Sequence, residues 1–152
     1  MTCITQVDST LWALIGRLQG AEIQTPYTPS NKYFQVESVN ANAVVIRTGE
    51  GGSAVALRRE AFQQTLDYLV KHEHVGESNA IKIESNHNDE LAGPLCKAAR
   101  ELPNGDLGTV VITYILPILE QCEAVAIGRL SRPTTTWLIT QREPLRTITK
   151  IV

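Results

Sequence analysis

The sequence lacks the features that mark membrane and secreted proteins. No apolar run approaches the roughly 18 residues that a membrane-spanning helix needs, and no basic stretch followed by an apolar block stands at the start, so we expect neither a membrane span nor a signal peptide. Its three cysteines, Cys3, Cys96 and Cys122, are widely spaced and form no Cys-x-x-Cys pair. Reduced thiols fit them better than a disulfide framework, and we predict a cytoplasmic protein.

Catalytic and cofactor-binding signatures are also missing. The glycine-rich run at 49–52 lacks the Gly-Lys-Ser/Thr ending and the strand-to-helix context of a phosphate-binding loop, so we interpret it as a hairpin turn. His72 and His74 lie a dozen residues from His87, whereas a zinc site needs a third ligand at a fixed place. We predict no metal and no cofactor, and we favour a function other than catalysis. An enzyme with an unmarked site is kept as a third alternative.

The composition predicts a folded chain with an uneven charge distribution. Hydrophobic residues make up 43% of the 152 residues and charged residues 20%, which suits one domain or two small subdomains sharing a core. The formal net charge is −2, but residues 1–71 are balanced, residues 72–125 carry −6 and residues 126–152 carry +4. A local basic surface favours a polyanionic partner, because phosphates are contacted by one face. Alternatively, the acidic and basic segments face each other.

The first half of the chain predicts a small antiparallel sheet with a covering helix. Asp8 precedes an apolar i, i+3, i+4 spacing that begins at Leu11, and Gly20 is expected to end that helix. Three short alternating stretches joined by tight turns predict a meander, and an amphipathic stretch follows. The predicted elements are a helix at 11–18, strands at 33–39, 44–48 and 53–57, a helix at 59–72 and a short strand at 80–84.

The second half predicts two helices and a hairpin. A helix begins at Pro94 and ends before 103–105, and two strands are predicted at 124–127 and 134–140. Between them, the segment 109–121 is ambiguous. Its β-branched start favours a strand, whereas apolar residues recur at helical spacing, and Pro117 disfavours a regular helix. We favour a helix. In the last strand, Trp137 and Ile139 are expected to share the core face.

The order helix, turn, helix and hairpin over residues 91–140 resembles a winged helix-turn-helix domain. The resemblance implies that the second helix lies in the major groove of duplex DNA while the hairpin tip contacts the backbone. The second helix is more apolar than a groove reader should be, so we favour the hairpin tip as the contact. The predicted fold class is α+β, with a first subdomain at 1–84, a linker or loop at 85–90 and a winged-helix-like subdomain at 91–152. One compact domain is the alternative.

These patterns predict a nucleic-acid-binding module, with duplex DNA as the expected partner. Arginine guanidinium groups match phosphate oxygens and threonine hydroxyls donate further bonds, which points to the hairpin tip. Arginines of the first subdomain extend the predicted surface. The predicted contact residues are Arg129, Arg132, Thr134, Thr135, Thr136, Arg58, Arg59, Arg47, Thr109 and Thr113.

A protein-interaction or assembly module is the alternative function. The apolar segment at 109–119 is long enough to pack against a copy of itself, as in a homodimer, or against a protein partner. Polar replacements within this segment test the assembly function. Dissociation without unfolding would support an interface, whereas loss of folding would show that the segment belongs to the core.

Overall fold

A computed structural model describes residues 2–49, 52–130 and 132–141. These residues combine α-helices with antiparallel sheets, which confirms the α+β class. The elements are β1 (Thr2–Cys3), α1 (Ser9–Gly16), β2 (Glu22–Gln24), β3 (Tyr33–Val39), β4 (Ala43–Thr48), β5 (Ala54–Arg58), α2 (Arg59–Lys71), β6 (Ile81–Lys82), α3 (Pro94–Arg100), α4 (Ile112–Gln121), β7 (Val125–Gly128), β8 (Thr135–Leu138) and β9 (Thr140–Gln141). Single 3-10 turns form at Thr28–Ser30 and Glu77–Asn79.

The predicted meander is confirmed, with one strand more than expected. Four antiparallel strands lie in the order β2-β3-β4-β5. Alternate side chains of β3 and β4 are buried and join those of α2 in one hydrophobic cluster. β2 is the additional strand, and its three residues are too few to show alternation in the sequence. Its pairing with β3 depends on contacts across the intervening loop.

A second sheet joins the two predicted subdomains. Its order is β6-β8-β7, so that β6 from the first half pairs with β8 near the end of the described chain. The segment at 85–90 contains no helix or strand. Helix α2 contacts both α3 and α4, and their buried side chains belong to the same hydrophobic cluster as the meander. The two halves therefore share a sheet and a core.

The ambiguous segment at 109–121 is helical from Ile112 onward. Helix α4 starts at Ile112, and its N-cap residue Val111 makes no side-chain capping bond. Pro117 lies inside the helix, where it leaves one carbonyl without its usual donor. Tertiary packing compensates, because every apolar residue of α4 except Tyr114 is fully buried or nearly so.

The expected phase of β8 was wrong by one residue. Thr136 and Leu138 face the core at 0% exposure, whereas Trp137 is only partly buried. The register explains the phase: these two residues lie opposite Ile127 and Val125 of β7, and directly opposed residues share a face. The Thr136 hydroxyl is satisfied inside the core by donating to the Ala126 carbonyl at 2.8 Å.

None of the described helices combines the length and apolar character that crossing a membrane requires.

Candidate nucleic-acid interface

The connection between β7 and β8 lies against the loop that follows β2. Between them is a cleft of about 310 Å³, which we call the hairpin cleft. It brings together three of the predicted contact residues from distant parts of the chain, Thr113, Arg132 and Thr134. Its lining comprises Thr25, Pro26, Tyr27, Ile83, Glu84, Ser85, Thr113, Arg132, Pro133 and Thr134.

Arg132 has a partner that the sequence did not reveal. Its guanidinium carbon lies 4.2 Å from the centre of the Tyr27 ring, a cation–π distance. The residue is exposed, and no acidic side chain among the described residues forms an ion pair with it. Because an aromatic contact leaves the edges of a guanidinium group accessible, Arg132 retains hydrogen-bond donors for a ligand.

Three hydroxyl-bearing residues from different parts of the fold line the same cleft as Arg132. Thr113 belongs to the first turn of α4, and Thr134 directly precedes β8. Ser85 follows β6, whose pairing with β8 continues through a bond from the Ile83 amide to the Thr134 carbonyl at 3.0 Å. Glu84 contributes a carboxylate to the same lining. The hairpin cleft thus offers one guanidinium group and several hydroxyls, with one opposing negative charge.

Arg129 holds the walls of the cleft together. Its Nη2 and Nε atoms donate to the two carboxylate oxygens of Glu120 at 2.6 and 3.1 Å. Nη1 donates to the Thr25 carbonyl at 2.7 Å, and Nη2 also reaches the Gln24 carbonyl at 3.3 Å. The Arg129 side chain is 19% exposed. A phosphate would have to displace these contacts, so the structure gives Arg129 a positioning role rather than a free binding group.

Two predicted threonines also serve the fold. Thr136 is buried, as described above, and a phosphate cannot reach its hydroxyl group in this arrangement. Thr135 lies opposite Gly128, where a Cβ atom would come within 2.5 Å of the Thr135 hydroxyl oxygen. Thr135 therefore packs along the hairpin ladder and does not line the hairpin cleft.

The arginines of the first subdomain do not extend the hairpin cleft. Arg47 pairs with Glu37 at 3.0 Å on the exposed face of the meander. Arg58 donates to the Glu101 carbonyl at 3.0 Å and, together with the exposed Thr109, lines a separate cleft of about 340 Å³. Arg59 lies over the Trp12 ring at 4.8 Å and donates to backbone carbonyls. The predicted residues are therefore distributed over several places.

A larger cleft lies at one end of the meander. This meander cleft has a volume of about 810 Å³ and contains Arg47 together with residues that the sequence analysis missed. Tyr33 is 41% exposed, and Lys32 beside it is exposed. The lining comprises Glu22, Thr25, Asn31, Lys32, Tyr33, Phe34, Gln35, Arg47, Thr48, Gly49, Gly52 and Tyr114.

Helix α4 is core. Five of its apolar residues have 0% exposure, namely Ile112, Ile115, Leu116, Ile118 and Leu119. Only Thr113, Tyr114, Glu120 and Gln121 of α4 are partly or fully exposed, so the helix offers no continuous face to insert into a major groove. It also has no apolar surface left for a partner, which removes the observation that favoured an assembly module built on residues 109–119.

The histidines stack rather than gather metal ligands. The centres of the Tyr68 and His72 rings lie 4.3 Å apart. The Nδ1 atom of His74 is hydrogen-bonded to the Asn79 carbonyl oxygen at 2.8 Å. Across the described ranges, histidine, cysteine and acidic side chains form no group of three or more that is suited to a metal ion.

No protein-family model, no curated protein and no solved structure matches this chain significantly.

Proposed function

We propose that this chain is a nucleic-acid-binding module whose contact site is the hairpin cleft. The main support is the exposed Arg132, whose guanidinium group lies over Tyr27 in a cleft that Thr113 and Thr134 also line. Guanidinium and hydroxyl groups are the side chains that most often bind phosphate oxygens. Unpaired bases also stack on guanidinium planes, and the Tyr27 ring supports the Arg132 group from one side.

The order of elements supports the proposal. The sequence α2-β6-α3-α4-β7-β8, with its sheet order β6-β8-β7, is typical of winged helix-turn-helix domains. In such a domain the β7–β8 connection is the wing, and it carries Arg132. Since α4 is buried, we assign the contact to the wing and not to a groove-reading helix.

The charge balance predicts modest affinity. The chain carries a net charge of −2, and Glu84 lines the hairpin cleft beside Arg132. Non-specific affinity for nucleic acid comes mainly from phosphate neutralisation and falls steeply with salt. Binding is therefore best measured at low ionic strength, where a few cationic side chains are enough to give measurable affinity for phosphates.

The test is fluorescence anisotropy with a labelled oligonucleotide of mixed sequence, in duplex and in single-stranded form. We expect the Arg132→Ala variant to bind about tenfold more weakly than the wild type, because a charge-assisted contact is lost. Arg17→Ala is the matched control, since Arg17 is an exposed arginine at the end of α1 and lines neither cleft. Binding of neither form by the wild type, or equal binding by the two variants, would overturn the proposal.

A further inference from the structure

We infer that the nucleic acid is single-stranded and lies along a track that joins the hairpin cleft to the meander cleft. This inference rests on the proposed function and extends it to a substrate class and a second site. The track is defined by five side chains, namely Arg132, Tyr27, Lys32, Tyr33 and Arg47.

The two clefts adjoin each other. Thr25 lines both of them. At the start of α4, Thr113 lines the hairpin cleft and the next residue, Tyr114, lines the meander cleft. A chain that leaves one cleft therefore enters the other across the loop at 25–32.

That loop is held in place by contacts within the protein. Arg129 donates to the Thr25 carbonyl, and its own carbonyl accepts a bond from the Thr28 amide at 3.3 Å. At the other end, Asn31 adopts a left-handed backbone with φ of 55° and closes the 3-10 turn. A preorganised loop lowers the entropic cost of binding, because it is not ordered by the ligand.

Each cleft contains a tyrosine side chain that is at least partly exposed. Tyr27 lines the hairpin cleft, where Arg132 lies over its ring, and Tyr33 is 41% exposed in the meander cleft. On the face of β3 opposite Tyr33, Phe34 is buried, and its ring meets the Tyr114 ring edge to face with the two centres 5.3 Å apart. Unpaired bases stack on such rings, and the interaction tolerates any sequence.

The cations of the track are few and partly compensated. Lys32 and Arg132 are exposed, whereas Arg47 is paired with Glu37. The carboxylates of Glu22 and Glu84 line the same clefts. Because three cations face these acids, phosphate attraction alone is weak, and stacking must supply much of the affinity.

Both clefts favour single strands over a duplex. In a duplex, each base is stacked on its neighbours and its faces are not available to a tyrosine. A protein that reads a duplex in a groove needs an element that enters it, and most of α4 is buried. The clefts therefore suit a flexible strand whose bases turn towards Tyr27 and Tyr33.

The test compares a labelled oligothymidylate, longer than the roughly 4–16 nucleotides that one binding module covers, with a duplex of the same length. We expect the single strand to bind at least about tenfold more tightly than the duplex. Tyr33→Ala should weaken single-strand binding by about tenfold, while Tyr33→Phe, which keeps the ring, should bind as the wild type does.

Lys32→Ala gives a second variant, since an exposed loop side chain can be removed without disturbing the sheet. It should weaken single-strand binding several-fold, whereas Arg17→Ala should not. Duplex binding as tight as single-strand binding, or no effect of Tyr33→Ala and Lys32→Ala, would overturn the inference and leave the proposed function standing. Failure of both nucleic acids to bind the wild type at low salt would overturn both.

Discussion

Arg129 and Glu120 form a two-contact ion pair, with 2.6 Å between Nη2 and Oε1 and 3.1 Å between Nε and Oε2. The pair links the end of α4 to the β7–β8 connection. The remaining donors of Arg129 hold the carbonyls of Gln24, Thr25 and Pro26. A side chain that the sequence marks as a phosphate contact therefore shapes the clefts in which such a contact is proposed.

Replacing Arg129 should destabilise the protein. Arg129→Ala leaves the Glu120 carboxylate and several carbonyls without their donor, and a loss of about 2 kcal/mol in the free energy of unfolding is expected. Urea denaturation measures it. The matched control is Arg47→Ala, because the Arg47–Glu37 pair is exposed at 49% and 41% and should cost less than about 1 kcal/mol. Equal losses in the two variants would contradict the positioning role.

Helix α4 should behave as core and not as an interface. Ile118→Ala is expected to lower the free energy of unfolding by about 2–5 kcal/mol, since Ile118 has 0% exposure. The exposed Val70 of α2 provides the control, and Val70→Ala should cost far less. Light scattering on the same samples measures the oligomeric state and so distinguishes a core helix from an assembly interface. An Ile118→Ala variant that stays stable while an oligomer dissociates would restore the assembly alternative.

Two threonines of the hairpin should separate stability from binding. Thr136→Val removes the buried bond to the Ala126 carbonyl and should cost about 1 kcal/mol, with nucleic-acid binding unchanged. Thr134→Val removes a hydroxyl that lines the hairpin cleft, so binding should weaken while stability stays within about 0.5 kcal/mol. Thermal unfolding measures the stability of both variants, and fluorescence anisotropy measures their nucleic-acid binding. A binding loss in Thr136→Val alone would contradict the assignment of the cleft.

Cys122 should make stability depend on alkaline pH. Burial raises the pKa of the Cys122 thiol from 9.0 to about 11. The unfolded chain therefore releases this proton at a lower pH than the folded protein does. The stabilisation is fully present below pH 9.0 and is lost as the pH rises towards about 11. Comparing the wild type with Cys122→Ala cancels other titrations, and their difference in stability should shrink between these pH values. A constant difference would contradict the expectation.

Local patterns predicted most of the secondary structure. Asp8 caps α1 as expected, with its carboxylate accepting from the Leu11 amide at 2.9 Å, and the meander, α2, α3 and the hairpin form where periodicity and turn residues indicate them. β6 is also only two residues long, but it lies in the stretch predicted as a strand at 80–84, and β9 starts at Thr140, where the strand predicted at 134–140 ends. β1 and β2 escaped prediction because so few residues show no alternation of their own. Their pairing depends on distant partners that no local pattern encodes.

The candidate site was less predictable, for a physical reason. Arg132 was identified, but its partner Tyr27 lies far away in sequence, and the contacts of Arg129 with Thr25 and Thr28 help to hold the Tyr27 loop beside the hairpin. Composition cannot distinguish an arginine that binds carbonyls from one that faces solvent. Thr136 was misassigned similarly, since alternation gives two faces and cross-strand register decides which one is buried.

The salt dependence of binding is the sharpest test of a phosphate contact at Arg132. For a single strand, the logarithm of the association constant should fall with the logarithm of salt concentration with a slope of about −0.7 for each cation neutralised. Engagement of Lys32, Arg47 and Arg132 predicts a slope of about −2 for the wild type. Arg132→Ala should reduce its magnitude by about 0.7, and Arg17→Ala should leave it unchanged. A slope that Arg132→Ala does not alter, or no measurable binding at low salt, would contradict the account.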